Sequence, residues 1–565
     1  MRFISRSISI VFAVLALAAS ACWAQEGSIT GSVHDATGAI IPNAAVTVTN
    51  NQQGFARTAT TNDSGDYLVP GLPAGSYNIN VKASGFKQYE VKDLILRVAE
   101  KARADAEMAV GQTSSEITVA GTNVAQVQTE SAELSGTITN KQINQLVLNG
   151  RNFTQLITLI PGVSNQTNQD EGTVGVYGNV AFSVNGGRTE YNNWELDGGD
   201  NMDNGSNATL NSYPNVDAIA EVKVLTSNYG AQYGRNGSAT IETVTKSGTR
   251  DFHGDVFEFL RNDDFNARNY FQNTRPTYKK HDFGYTLGGP VFIPKLYNTS
   301  RQKTFFFFSE EWRKELVPGQ TFNQQVPSNE ERAGNFSDIC PGPSCPVDPT
   351  TGAPFPNNTV PVSQQAQALL RLIPAPTNGS GANSFFVGAP ATQTNFREEL
   401  VRVDQNISDK QRFFYRFIHD SWNTVTPTPL WSNTTSSFPN VQTSFVGPGV
   451  SMVANLTSTV SPTLLNEFVF SYTTDHITLN AIGPVQRPAD FNMPGIFDNG
   501  FRGLLPNFSI TNTAAYGSGF GVGTGYFPWT NSNPTFTYKD NVTKILGSHN
   551  ILFGVLFIAA QKNEE

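Results

Sequence analysis

Charge, cysteine and histidine are all scarce in this sequence. Asp, Glu, Lys and Arg make up 15% of 565 residues, where an average soluble domain has about 25%. An ordinary cytosolic enzyme carries more. Only 3 Cys and 6 His are present, which leaves little material for metal centres or for thiol and imidazole catalysis. The histidines, His34, His253, His281, His419, His476 and His549, stand singly, and surface or turn positions explain them better than catalysis. No HExxH, GxSxG or P-loop string occurs. The run Gly519, Gly521, Gly523, Gly525 has neither GxGxxG spacing nor a Rossmann context, so the reading is no enzyme and no cofactor. Net charge is −9 without clustered Lys and Arg, which excludes nucleic acid as a partner. After the first two dozen residues no apolar run reaches the ~18 residues of a spanning helix. A membrane role would therefore need strands closed into a barrel.

What the chain has is aromatic residues, 39 Phe and 17 Tyr, and length enough for three or four domains of about 150 residues. Its start reads as an export signal. Arg2 and Arg6 precede an apolar run over residues 8–19, and Cys22-Trp23-Ala24 places small residues where a signal peptidase cuts, between Ala24 and Gln25. That run is too short for a transmembrane anchor. Lipid modification of Cys22 would want Leu where Ala19 stands. With the signal removed, Cys340 and Cys345 remain, and in an oxidising compartment they are expected to form a small-loop disulfide. Two thiols with no nearby His offer too few ligands for zinc.

Residues 25–110 read as a β-sandwich, with short alternating runs at 28–33, 45–49, 56–61, 67–69, 77–82 and 94–98 separated by turn signals such as Asp35-Ala-Thr-Gly38 and Asn62-Asp-Ser-Gly65. Residues 111–125 form a polar linker. Residues 126–248 have a mixed α/β pattern, with helices expected at 141–148 and 152–159 and strands at 221–225 and 239–244. From 249 to 565 the chain turns to ribbons of about ten residues with aromatics on one face and small or polar residues on the other. Phe283, Tyr285 and Leu287 alternate with Gly284, Thr286 and Gly288, and Phe536 and Tyr538 alternate with Thr535, Thr537 and Lys539. Long loops are expected at 318–395 and 476–533. A half-buried strand of a soluble sandwich has the same period, but the ribbon length and these loops favour a lipid-facing barrel.

Two resemblances extend this reading. Gly31-Ser-Val-His-Asp35, Ile41-Pro-Asn-Ala44, Gly65-Asp-Tyr67 and Leu72-Pro-Ala-Gly-Ser-Tyr77 resemble the carboxypeptidase-regulatory-like domain, an accessory sandwich without catalytic residues. Ser183-Val-Asn-Gly-Gly-Arg188, Asn193-Trp-Glu-Leu-Asp-Gly-Gly-Asp-Asn201, Ala218-Ile-Ala-Glu-Val-Lys-Val-Leu225 and Tyr229-Gly-Ala-Gln-Tyr-Gly-Arg235 follow in order and resemble the plug of TonB-dependent outer-membrane receptors of the Oar-like group. Thr304-Phe-Phe-Phe-Phe-Ser-Glu-Glu-Trp312 resembles that group's early barrel. The expected fold is mainly β: an N-terminal sandwich, a mixed α/β plug, then the first part of an antiparallel transmembrane β-barrel in the outer membrane, with the N-terminal domain in the periplasm.

The resemblance implies uptake of a large or scarce solute, an oligosaccharide or a peptide among the candidates, energised by the TonB complex, with outer-membrane lipid as surroundings. The runner-up is a surface adhesin or structural outer-membrane protein. The plug motif residues are Asn185, Gly186, Arg188, Asp197, Gly198, Asp200, Asn201, Tyr233 and Gly234. The linker residues Glu116, Ile117, Thr118, Val119 and Ala120 stand where receptors of this kind present the TonB box, a mobile peptide that adds as a strand to a partner's sheet. A plain linker strand is the alternative. Residues 197–205 are acidic, but read as an EF-hand from Asp200 they put Met202 and Asn211 where carboxylates belong. An EF-hand is rejected and no metal is assigned, an unspecific cation site being the alternative. A plugged transporter has about 22 strands of 9–11 residues, and residues 250–565 allow about ten crossings. The expectation is an incomplete receptor that does not insert stably alone.

Overall fold

The computed structural model describes residues 27–111, 116–120, 130–167, 178–268, 270, 275–430, 436–461, 463–491, 505, 507–511, 516–525, 528–546 and 549–565. The export signal with its cleavage point at Ala24 and Gln25 lies outside them. The sandwich has β1 (Gly27–Asp35), β2 (Ala45–Asn50), β3 (Ala56–Thr60), β4 (Asp66–Leu72), β5 (Gly75–Lys82), β6 (Gln88–Leu96), β7 (Lys101–Arg103) and β8 (Ala106–Met108). One sheet has the order β4-β1-β7, with β8 also on β1, and the other runs β3-β2-β5-β6 and ends on β9 (Glu116–Ala120). Alternate residues of each strand point inward, so Ile29, Val33, Val46, Val48, Tyr67, Tyr77, Ile79 and Val81 meet in one core. The buried tyrosines keep their hydroxyls satisfied, Tyr67 donating to the Ala104 carbonyl and Tyr77 to that of Pro73. The strand expected at 94–98 is β6, which starts earlier. Asp93 sits at φ 57° where the β5–β6 register shifts, and this bulge interrupts the alternation a sequence reader looks for.

The second domain has β10 (Leu134–Thr139), β11 (Val163–Asn165), β12 (Phe182–Val184), β13 (Asn193–Leu196), β14 (Gly199–Asp200), β15 (Ile219–Ser227) and β16 (Thr240–Thr245), with a five-stranded sheet in the order β10-β15-β16-β13-β14. Thr139 and Gln142 form a capping box that starts the helix Asn140–Gln145. The helix expected at 152–159 is a 3-10 helix, Phe153–Leu159, capped by the Asn152 side chain. It ends where Gly162 takes a φ of 87° beyond Pro161, which cannot continue a helix.

From β17 (His253–Asn262) onward one antiparallel sheet dominates. It continues through β18 (Lys279–Pro290) and β19 (Thr304–Val317). The short hairpin β20 (Phe322–Gln325) and β21 (Phe385–Gly388) lies in the next loop, after which come β22 (Thr392–Ser408), β23 (Gln411–Thr426), β24 (Gln442–Val446), β25 (Gly449–Ser461) and β26 (Leu464–Ile482). A second short pair, β27 (Phe508–Thr511) and β28 (Gly519–Val522), precedes β29 (Trp529–Ser532), β30 (Thr535–Leu546), β31 (His549–Ala560) and β32 (Asn563–Glu564). β24 with β25, β29 with β30 and β31 with β32 each make one crossing, the first two broken at Pro448 and Pro534, so nine crossings stand among the described residues. Proline has no N–H to give a ladder, and the breaks follow. Among the described residues β17 and β31 each pair with a strand on one side only.

Inward and outward faces alternate, but aromatics are not confined to the outer face: Phe305, Phe307, Phe396, Trp422 and Phe445 are buried on the inner one. Thr286, Gly288, Glu311, Arg402 and Arg416 point inward and are buried, while Tyr285, Leu287, Tyr415 and Tyr538 face out. Connections at one end are short, such as residues 409–410. Those at the other are long. The loop expected at 476–533 is shorter than that, because β26 runs on to Ile482 and β29 begins at Trp529. Nor are the long loops structureless. Val326, Leu372, Ile373, Phe438, Val441, Leu505, Phe520 and Val522, drawn from three loops, form an apolar core of their own above the sheet. No helix among the described residues is long and apolar enough to cross a membrane.

Candidate functional site

The second domain sits against the inner face of the strand sheet. Its core holds Ile138, Phe153, Phe182, Trp194, Val222 and Ile241, and it continues without a break into the wall residues Phe396, Trp422, Phe445, Ile477 and Leu479. The Asp197-Gly198 dipeptide makes that fit possible. Both residues take left-handed backbone, φ 50° and 88°, as a two-residue turn between β13 and β14 demands. At Gly199 a Cβ would lie 2.5 Å from the Ser471 Cβ and 3.0 Å from the Val453 Cγ2, so only glycine lets the plug backbone reach the wall there.

Asp197 is where the two bodies are pinned. Its carboxylate accepts the Thr245 N–H and hydroxyl, both at 2.9 Å. From the wall, Arg416 Nε donates to it at 3.0 Å and Arg402 Nη1 at 3.3 Å. Arg416 also reaches the Leu196 carbonyl at 3.0 Å and the Ser451 carbonyl at 2.9 Å. Arg402 is held by Asp404 at 2.9 Å and lies over the Phe414 ring at 4.2 Å. Two arginines thus face two carboxylates in a buried interface, where ionic hydrogen bonds are strongest.

Further contacts repeat this scheme. Arg151 of the plug pairs with Asp217 at 2.5 Å and lies 3.5 Å from Asp282 on β18. Arg313 of β19 donates to the Gly150 and Arg151 carbonyls at 2.6 and 3.2 Å. Lys539 on β30 meets Glu195 on β13 at 3.1 Å and lies 5.9 Å from the Tyr233 ring. Burial pushes the Glu242 carboxyl of β16 up to about 7, against the pull of Lys223 and Lys539 and with help from Glu195. Burial likewise raises Glu221 and Tyr233.

The other motif residues serve the plug itself. Asn185-Gly186 is a second left-handed turn, Arg188 lies over the Tyr191 ring at 5.8 Å, and Asp200 is ion-paired with Arg235. Asn201 donates to the Ser212 carbonyl at 2.8 Å, and Tyr233 is buried. A Cβ at Gly234 would meet only Leu556, at an ordinary 3.5 Å, so this glycine makes no close approach to the wall. The acidic stretch 197–205 engages its own chain: Asp203 accepts from Gly205 and Ser206, and from Asn533 of the wall at 2.7 Å. Among the described residues no group of three or more His, Cys, Asp or Glu is placed to hold a metal.

Glu116–Ala120, expected as a mobile peptide or a linker strand, is β9, paired in parallel with β6 from Gln88 opposite Glu116 to Lys92 opposite Ala120. Cys340 and Cys345 are joined by a disulfide in the loop after β20. The wall partners Arg402, Arg416, Arg313, Asp282 and Lys539 are absent from the sequence-based site. The available signal was charge on the inner face of an alternating ribbon, as in Glu398, Arg402 and Asp404 of β22.

Three family profiles match this chain: Carboxypeptidase regulatory-like domain over residues 28–109, TonB-dependent Receptor Plug Domain over 126–241 and Outer membrane beta barrel domain over 244–565. A curated relative, the TonB-dependent transporter Oar of Myxococcus xanthus, is 28% identical over 319 residues, which cover 52% of this chain and 28% of that protein. Among solved structures, the outer membrane transporter YddB from Escherichia coli aligns at a TM-score of 0.44 and 11% identity, over 76% of this chain and 48% of that one. A ferric enterobactin receptor (PfeA) mutant from Pseudomonas aeruginosa aligns at 0.42 and 12%, over 76% and 49%. The chain therefore spans less than a third of the curated relative and about half of each of these two structures. With its barrel profile covering more than half of the sequence, behind a plug and a regulatory-like sandwich, the chain belongs to the outer-membrane β-barrel family in its TonB-dependent receptor form.

Proposed function

We propose that this protein imports a large or scarce solute across the outer membrane, energised from the periplasm through the TonB complex. The observation that carries the reading is the plug lodged against the inner wall and pinned by Asp197 between Arg402 and Arg416. A passage filled this way opens only if the plug is moved, and moving it means breaking buried ionic hydrogen bonds, which needs work. Residues 1–24 serve as export signal, 25–110 as a periplasmic sandwich, 111–125 as the linker with Glu116–Ala120 as TonB box, 126–248 as plug and 249–565 as barrel. The extended, β-branched Ile117-Thr118-Val119 suits recognition by strand addition.

The cap built by the long loops supports a second reading, a surface adhesin whose loops bind other cells. Deleting Glu116–Ala120 separates the two. Cells carrying the deletion should lose uptake of labelled oligosaccharide and peptide pools, with surface exposure of the protein unchanged. Unimpaired uptake, or adhesion as the one activity affected by removing the cap, would sink the transport reading.

A further inference from the structure

The sandwich is not a free accessory. Two of its loops grip what lies beneath it. In the loop after β6, the Val98 N–H donates to Glu221 Oε2 at 2.9 Å and the Ala99 carbonyl accepts from the Lys223 ammonium at 3.0 Å. Lys223 is 1% exposed and is also 3.6 Å from Glu133. Both partners lie on β15, an interior strand of the plug sheet. In the loop after β2, the Gln53 amide donates to the Gly248 carbonyl at 3.1 Å and the Gln52 carbonyl accepts from the Arg250 N–H at 3.0 Å. Residues 248 and 250 join the plug to β17. The same loop touches the wall, with Phe55 under the Arg412 guanidinium at 4.5 Å, and Arg57 of the neighbouring β3 donates to the Asp409 carbonyl of the short β22–β23 turn.

β9 belongs to this same body, since it is zipped along five residues to β6. A pull along β9 loads that parallel ladder in shear, all its hydrogen bonds together. A pull along residues 121–129 would instead arrive at β10, the edge strand of the plug sheet, from which a strand peels bond by bond. Resting on the assignment of β9 as the TonB box made above, we propose that the sandwich is the coupling between the periplasmic partner and the plug. Force entering at β9 passes through β6 and leaves by the 97–101 loop onto β15 and by the 51–55 loop onto the plug–wall junction.

The test locks β9 in place. Glu90 and Thr118 are directly paired, so Glu90→Cys with Thr118→Cys in the full chain, oxidised, prevents β9 from leaving the sandwich. The probe is the purified periplasmic domain of TonB. Oxidised and reduced forms should bind it within twofold of each other. A tenfold or greater loss on oxidation would mean that β9 must detach, and would overturn the coupling while leaving the box assignment intact. Retained binding after deletion of Glu116–Ala120 would instead overturn the assignment itself. With the lock closed, the receptor is then pulled through the bound domain in single-molecule force measurements. Glu221→Gln with Lys223→Met should lower the first rupture force by a third or more. An unchanged force would show that the load bypasses the sandwich.

Discussion

At the scale of residues the plug is held by a few buried charges whose partners lie far away in sequence. Asp197→Ala removes the carboxylate and leaves Arg416 without its charged partner while Arg402 keeps Asp404, which should cost about 3–5 kcal/mol. Amide exchange in β13 and β16 should speed up accordingly, and Asp197→Ala with Arg416→Met should cost less than the sum of the single changes. Full additivity would show that the contacts are independent and the pinning argument wrong. Glu242 gives a pH dependence of known sign. Its carboxyl titrates near 7 in the folded plug against 4.5 when free, so the folded state keeps a proton that the unfolded state has released. Stability from this group is therefore greatest below 4.5 and falls as pH rises toward 7. Glu242→Gln should leave the melting temperature unchanged at pH 4 and raise it at pH 8, and an equal shift at both pH values would refute the assignment. The Asp197-Gly198 turn was legible in the sequence, because left-handed backbone at two adjacent positions selects that dipeptide. Its arginine partners were not. Register between a plug turn and two barrel strands some 200 residues away leaves no local trace, and a single Arg within an alternating ribbon looks like any inward polar position.

At the scale of elements, alternation carried the ribbons because the two faces of each strand meet different surroundings, even where the inner face lends apolar side chains to the plug. It failed where a second demand overrode it. Asp93 bulges out of β6 and accepts from Asn51 at 2.9 Å, so the strand reads as a polar gap. β9 could be read as a strand, but EITVA does not say which edge receives it. The cap lay hidden for another reason: its core is assembled from three loops, none of which carries a periodic signal alone. Phe438 is 0% exposed at its centre, edge-on to Phe386 at 5.9 Å and to Phe520 at 5.5 Å. Phe438→Ala should cost the cap about 3–5 kcal/mol and open residues 318–391 to protease while the strands below stay resistant. Uniform protection in the variant would mean that the loops do not depend on a shared core.

At the scale of the whole molecule the decisive contrast is between two kinds of core. Every buried residue of the sandwich core, from Ile29 to Met108, comes from the sandwich itself. The plug core is shared with the wall, since Phe396, Trp422, Phe445, Ile477 and Leu479 complete it. A domain that owns its core keeps its apolar burial when cut free, whereas one that borrows side chains exposes the faces that met them, at roughly 25 cal/mol per Å² returned to water. The ionic pins add to the difference, because a plug without its wall leaves Asp197 and Glu195 without the arginines and lysine that face them. Residues 26–110 alone should therefore unfold in one cooperative urea transition. Residues 126–248 alone should show no sharp transition and should bind a hydrophobic dye strongly. The sandwich meets Glu221 and Lys223 through two backbone groups, the Val98 N–H and the Ala99 carbonyl, neither of them a core side chain, and their loss should leave the isolated sandwich folded. If the isolated plug instead unfolds cooperatively, with protected amides in β13 and β16, then its stability is its own. The wall would then only receive it, and the work of moving the plug would come down to the few ionic contacts around Asp197 rather than to the shared apolar core.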